Sequence, residues 1–192
     1  MTLGSAQAGQ AHVFAGYDRA VNDPFVVRRG LHVGAGFAPN EVLSFDTGLY
    51  GYPDLGEADW TPLTRQLINE ARVSPDISKI TARGDLVVRI APFSREWEWL
   101  HVRTGFHAGV GFVRTKDDLE ALQAEGDPRA MSTELQLHPT AISGVHAEVR
   151  TPYVVGLRVK LETVRFNEAV NGTTVEMKAN RFAGMEVTAW FP

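Results

Sequence analysis

Eleven charged residues stand in the every-other-residue rows of otherwise apolar segments: Asp46, Arg83, Asp85, Arg89, Arg103, Glu148, Arg150, Arg158, Lys160, Glu162 and Glu186. Both signs are mixed along the chain. Such a set could exchange protons, line an ion path, or neutralise itself pairwise in a place that water does not reach. His32, His101, His107 and His146 share the same rows, and imidazole is a common metal ligand. No HExxH or comparable short ligand spacing occurs, however, so no metal site is expected. The glycines of Gly105-x-x-x-Gly109-x-Gly111 lack the GxGxxG order and are not followed by a helix signal, which excludes the usual dinucleotide fingerprint. There is no GxSxG, and Ser143 near His146 is too isolated to define a nucleophile and its base. The expected cofactor set is therefore none, and no catalytic residue is assigned.

The segments that position these groups read as β-strands. From Leu100 to Phe112 the even positions Leu100, Val102, Thr104, Phe106, Ala108, Val110 and Phe112 form an apolar row. The odd positions His101, Arg103, Gly105, His107, Gly109 and Gly111 are charged, polar or minimal. A period of two puts the rows on opposite faces of one strand. At more than a dozen residues it is longer than a usual globular strand of five or six, and it suits a tilted strand crossing a bilayer.

The same alternation recurs. Strands are expected at 11–17, 30–38, 41–52, 79–91, 97–113, 139–150, 154–166 and 175–191. Pro39-Asn40, Pro92 to Glu96 and Thr151-Pro152-Tyr153 read as short turns. Residues 18–29, 53–78 and 116–138 read as long loops, and 167–174 as a moderate one. Thr61-Pro62 is a helix start, with Leu63, Leu67 and Ala71 at helical spacing, so a short helix is expected near 62–72. Eight strands joined by alternating short and long connections describe an all-β, antiparallel, up-and-down transmembrane barrel. Aromatics near the strand ends form two belts: Phe37, Trp97, Trp99, Tyr153, Trp190 and Phe191 near the short turns, and Tyr17, Tyr50, Tyr52, Phe112 and Phe166 near the other rim. Residues 1–10 read as a flexible segment ahead of a single barrel domain, 11–192.

Alternation cannot by itself say which face is inside. A lipocalin-like soluble barrel would enclose the apolar row around a small ligand, whereas a membrane barrel inverts it. Glycine decides the reading. Gly34, Gly36, Gly48, Gly105, Gly109, Gly111, Gly144, Gly156 and Gly184 share the charged face. Glycine has no packing role on a wet face, but inside a narrow barrel it leaves room for Arg, Glu and His to cross the lumen. The lumen is accordingly expected to be salt-bridged and non-conducting.

Composition agrees. The 192 residues contain 44% hydrophobic residues and no cysteine, which excludes disulfide and thiolate chemistry. A net charge of −4 and a pI near 5.9 argue against a general nucleic-acid partner. Met1 to Ala6 has neither a basic nor an apolar signal region, so an outer-membrane location requires a signal removed from this form.

Further residues carry a resemblance. Asn22-Asp23-Pro24-Phe25 followed by Arg29-Gly30-Leu31, then Leu63 to Glu70 leading to Ser74-Pro75-Asp76-Ile77-Ser78, then Gly109 to Thr115, and the final Trp190-Phe191-Pro192, resemble outer-membrane β-barrel domain proteins of myxobacteria and related deltaproteobacteria. The resemblance covers most of the chain from about Val13. It implies an eight-stranded barrel of the OmpA and OmpX type in the bacterial outer membrane. It further implies an anchor in gliding-motility or envelope assemblies rather than an enzyme. Pro192 after the terminal aromatic departs from the wider barrel pattern. Expected partners are outer-membrane lipid or lipopolysaccharide and other envelope proteins. Phe25, Leu63, Leu67 and Ala71 are the candidate docking residues on the loops. An outer-membrane lipid-modifying enzyme, drawing on Ser143 and His146, is the remaining alternative.

Overall fold

The computed structural model describes residues 9–21, 29–52, 78–117, 135–151, 154–170 and 174–191. Eight antiparallel strands follow in order: β1 Gln10–Ala20, β2 Arg29–Ala38, β3 Leu43–Gly51, β4 Ser78–Trp97, β5 Leu100–Asp117, β6 Leu135–Arg150, β7 Val155–Val170 and β8 Thr174–Phe191. Each pairs with its sequence neighbour, and β1 pairs with β8 to close the barrel. Closure removes both sheet edges, so the ladder satisfies the backbone within the wall.

The expected parity holds along the strands except at Ile80 in β4. Arg103 is 4% exposed, whereas Phe106 on the opposite face is 59% exposed. Leu31, Leu49, Leu86, Val110, Leu161 and Val187 all face outward in the same way. In water such a contiguous apolar wall would far exceed the few hundred Å2 usual for a soluble monomer. The soluble lipocalin-like alternative is therefore corrected, because the interior is filled by charged side chains.

Several boundaries differ from expectation. The hairpin between β4 and β5 turns at 98–99, not at Pro92 to Glu96, because the ladder resumes past a register shift between Ile90 and Phe93. Proline is tolerated at such an irregularity, where a ladder donor is not needed. A second shift, between Ile80 and Ala82, turns Ile80 inward. Ile80 is 2% exposed, so it leaves the outward row in which alternation alone places it. Strand β6 begins at Leu135 and takes in His138, β1 extends to Ala20 and takes in Asp18, and only 171–173 separate β7 from β8.

Two turns show their local cause. At the β2–β3 turn Asn40 Oδ1 accepts hydrogen bonds from the backbone N–H groups of Val42 and Leu43, at 2.9 and 2.8 Å. This is the Asx geometry that follows proline in Pro39-Asn40. At the β6–β7 turn Val154 has φ of 89°, a left-handed conformation that a β-branched residue adopts only under strain. The expected helix near 62–72 lies outside the described residues, and no helix occurs among those described.

Candidate functional site: the ion-paired lumen

All the charged residues expected to face inward do so. Asp46 is the hub nearer the short turns. Its carboxylate accepts from Arg89 Nε at 2.6 Å and from Arg158 Nη1 at 3.0 Å, and His12 Nε2 lies 3.0 Å away. Glu148, beside it, accepts from Thr188 Oγ1 and from the Trp190 indole N–H, at 3.1 and 3.0 Å. Arg158 and Arg103 face the other oxygen of Glu148 at 3.6 and 4.0 Å. Arg103 also donates to the backbone carbonyl of Glu41. At the mouth, half-buried Arg150 donates to Gln10 at 2.9 Å and contacts His101 Nδ1 at 3.1 Å.

Glu186 links this layer to the next. It accepts from Arg158 and Lys160, each at 3.0 Å, and lies 3.1 Å from His32 Nε2. Lys160 also donates to the Tyr50 hydroxyl at 3.0 Å. Arg83 bonds Glu162, meets Asp85 at 2.9 Å, and stacks its guanidinium 3.8 Å above the Tyr50 ring. Six buried carboxylates therefore face five buried cations among the described residues, with Arg150 completing the balance at the mouth. A shared network is the condition under which charges persist in a dry interior.

Glycine creates the room. A Cβ at Gly36 would come within 2.5 Å of Asp46 Oδ1, and one at Gly144 within 2.6 Å of His107 Nε2. The small residues on the charged face are thus the space into which charged and imidazole groups lean.

Towards the long loops the lumen changes character. Ala20, Tyr52, Ile80, Val113, Ile142, Val164, Phe166 and Phe182 form one buried apolar cluster. Val113, Val164 and Phe182 are fully buried. At the opposite, short-turn end a cavity of about 800 Å3 opens between the rim and the lumen, lined by His101, Arg150 and Trp190 among others.

The sequence reading missed part of this site. His12 and Asp18 lie inward in β1, and Asp18 sits 3.4 Å from His32 and 3.6 Å from Lys160. Carrying the parity of β1 through His12, Phe14, Gly16 and Asp18 would have found both. His138 pairs with Thr115 at 3.1 Å, so all six histidines face the lumen. The aromatic belts are corrected in part. Tyr50, Tyr52, Phe166 and Trp190 are buried in the lumen, because strand parity rather than height on the barrel decides which way a ring points. Phe37, Trp97, Trp99 and Phe191 remain exposed at the short-turn rim, with Tyr17 and Phe112 towards the other. Tyr153 lies outside the described residues.

Ser143 and His146 do not meet. They lie on opposite faces of β6, with His146 inward and Ser143 accepting a hydrogen bond from exposed Arg165 at 3.2 Å. No group of three or more His, Asp or Glu side chains among the described residues is arranged to hold a metal. Phe25, Leu63, Leu67 and Ala71 fall outside the described residues.

Apolar outside, ion-paired inside and closed over eight antiparallel strands, the chain has the architecture of the small outer-membrane β-barrels. Among solved structures it is similar to the N-terminal β-barrel domain of Pseudomonas aeruginosa OprF, with a TM-score of 0.59, 10% identity, and coverage of 95% of this chain and 97% of that one. It is similar also to Neisserial surface protein A, with a TM-score of 0.52, 10% identity, and coverage of 95% of each chain. No protein-family model and no curated sequence relative matches the chain.

Proposed function

We propose that this protein resides in a bacterial outer membrane and serves there as an anchor or docking component of an envelope assembly, without catalysis. The observation that carries the membrane reading is the inverted wall: Leu31 and Leu49 are about 70% exposed while Arg158 and Glu186 are at most 1% exposed. Lipid is the solvent that makes such a distribution stable. The docking role draws on the three long connections, which leave the barrel on one side, and on the resemblance to myxobacterial barrels of gliding-motility and envelope assemblies. Phe25, Leu63, Leu67 and Ala71 supply apolar contacts for a partner protein in this reading.

The lumen serves as a filling rather than a path. Supporting this reading, ion-paired side chains and the apolar cluster above them fill the interior among the described residues. In planar bilayers the reconstituted barrel is expected to show no steady conductance, and stable open levels would overturn this part.

Heat-modifiable gel migration together with membrane fractionation tests the location. A protein soluble without detergent would sink it. Co-purification from native membranes tests the docking role, which fails if the barrel emerges alone.

A further inference from the structure

The cavity at the short-turn mouth carries groups of opposite charge at two levels, and the anchor role makes no use of it. Its volume of about 800 Å3 is in the usual range for a small-ligand site. The outer rim bears the exposed carboxylates of Glu96 and Glu98, where the β4–β5 hairpin projects. That hairpin runs past the last β3–β4 pair, Leu43 with Ile90, and past the last β5–β6 pair, His101 with Arg150. Deeper in stand Arg150 and His101, with Trp190 as a wall.

Arg150 makes its polar contacts among the described residues with uncharged groups. Its guanidinium donates to Gln10 Oε1 at 2.9 Å and to His101 Nδ1 at 3.1 Å, and lies 4.7 Å from the centre of the Trp190 ring. Arginine only donates, so His101 Nδ1 is the unprotonated ring nitrogen and the imidazole is neutral. These contacts leave the rest of the planar fork for an acceptor. A small recess adjoins the cavity behind Gln10 and Arg150, and Arg103 lines it. Arg103 is 4% exposed, and its Nε–H has no hydrogen-bond partner among the described residues. A buried donor left unpaired is costly. The two guanidinium groups therefore mark a place for one anionic group, and a carboxylate fits their forks.

The walls between the two levels are apolar: Trp97, Leu100, Val154 and Phe191. Val154 is the residue with the left-handed backbone, and the Trp190 N–H donates to its carbonyl at 2.7 Å. Strain of this kind persists where the surroundings enforce it, and it concentrates at ligand sites. Glu96 stands opposite His101 in the ladder, and Arg103 follows two residues further in. At about 3.3 Å per residue the acidic and basic levels are roughly 7 Å apart, with Glu98 farther out at the hairpin tip. An extended peptide of roughly two or three residues spans that distance at about 3.4 Å each.

We propose that this cavity binds short peptides end-on. The terminal carboxylate lies on Arg103 and Arg150, the terminal ammonium faces Glu96 and Glu98, and the side chains rest against the aromatic wall. This goes beyond the docking role, which uses the long-loop side of the barrel, and does not depend on it.

The test uses the whole chain refolded into detergent micelles and titrated calorimetrically with alanyl-alanyl-phenylalanine, its carboxyl-terminal amide and its N-acetyl form. The free tripeptide is expected to bind roughly tenfold or more tighter than the amide, about the loss of one charge-assisted contact, and several-fold tighter than the acetylated form. Arg150→Gln is expected to weaken the free tripeptide roughly tenfold and to erase its advantage over the amide. Glu96→Gln with Glu98→Gln is expected to erase its advantage over the acetylated form. These two side chains are exposed, so that variant reads the site even if Arg150→Gln fails to fold. Arg114→Gln, at the far end of the barrel, is expected to change nothing. No binding at millimolar tripeptide, equal binding of acid and amide or of free and acetylated peptide, or an equal fall in Arg114→Gln overturns the inference. Heat-modifiable migration of each protein is read separately. A barrel that migrates as folded but ignores the tripeptide defeats only the peptide site and leaves the membrane reading standing.

Discussion

The two parts of the lumen solve the same packing problem by opposite means. Around Asp46, Glu148, Glu186 and Glu162 the interior is filled by long charged side chains that hold one another by hydrogen bonds. Around Val113, Val164 and Phe182 it is filled by apolar side chains that hold one another by contact alone. The ion-paired part depends on completeness, since each charge is stable only while its partners are present. The apolar part depends on volume, since each side chain is stable only while its space stays filled. Apart from the register shift that brings Ile80 inward, the described β-ladder does not distinguish them. The difference lies in the side chains that one parity row delivers at successive heights.

The largest effect is expected where completeness is broken. Arg158→Met removes the one cation shared by Asp46, Glu148 and Glu186, and should cost about 3–5 kcal/mol in urea unfolding from detergent micelles. A loss under about 1 kcal/mol would mean that the carboxylates find other partners, and the contrast between the two regions would fail. Removing both members of a pair should be milder. Arg83→Met with Glu162→Leu is expected to recover a substantial part of the loss shown by Arg83→Met alone, because no lone buried charge remains. A double-mutant cycle reads this directly.

In the apolar part, Phe182→Ala should cost about 3–5 kcal/mol through the cavity it leaves. Here no second truncation should compensate, so Phe182→Ala with Val113→Ala is expected to be worse than either alone. Recovery would show that this region too is held by pairing. Gly36→Val tests the space that glycine keeps for His12 and Asp46, with an expected cost of about 1–3 kcal/mol from overpacking. The smallest effect lies away from both regions. Val154→Gly relieves the left-handed backbone of the β6–β7 turn and should stabilise by about 1 kcal/mol. An unchanged midpoint would show that the turn carries no such strain.

Much of this architecture was legible in the residues. The period of two from Leu100 to Phe112 named the strand, and the glycines beside Arg103 and His107 named its inner face. The even strand count and the alternation of connection lengths followed from Pro39-Asn40 and Thr151-Pro152. Ends were harder. Asp18 and His138 look like loop residues because polar composition marks both loops and lumen-facing strand positions. Trp190 and Tyr50 look like belt residues because an aromatic near a strand end has two faces to choose from.

By itself the sequence determined the alternation, the side on which the charges had to lie, and hence an inside-out barrel. Those are local properties, since backbone geometry sends neighbouring side chains to opposite faces whatever the rest of the chain does. Only the tertiary structure decided which charges meet. Asp46 finds Arg158 across the lumen because closure of β1 on β8 brings β3 and β7 around one axis, whereas Arg89 is its diagonal neighbour on β4. The register shift at Ile80 turned that residue into the apolar end of the lumen, and a one-residue slip is invisible to periodicity.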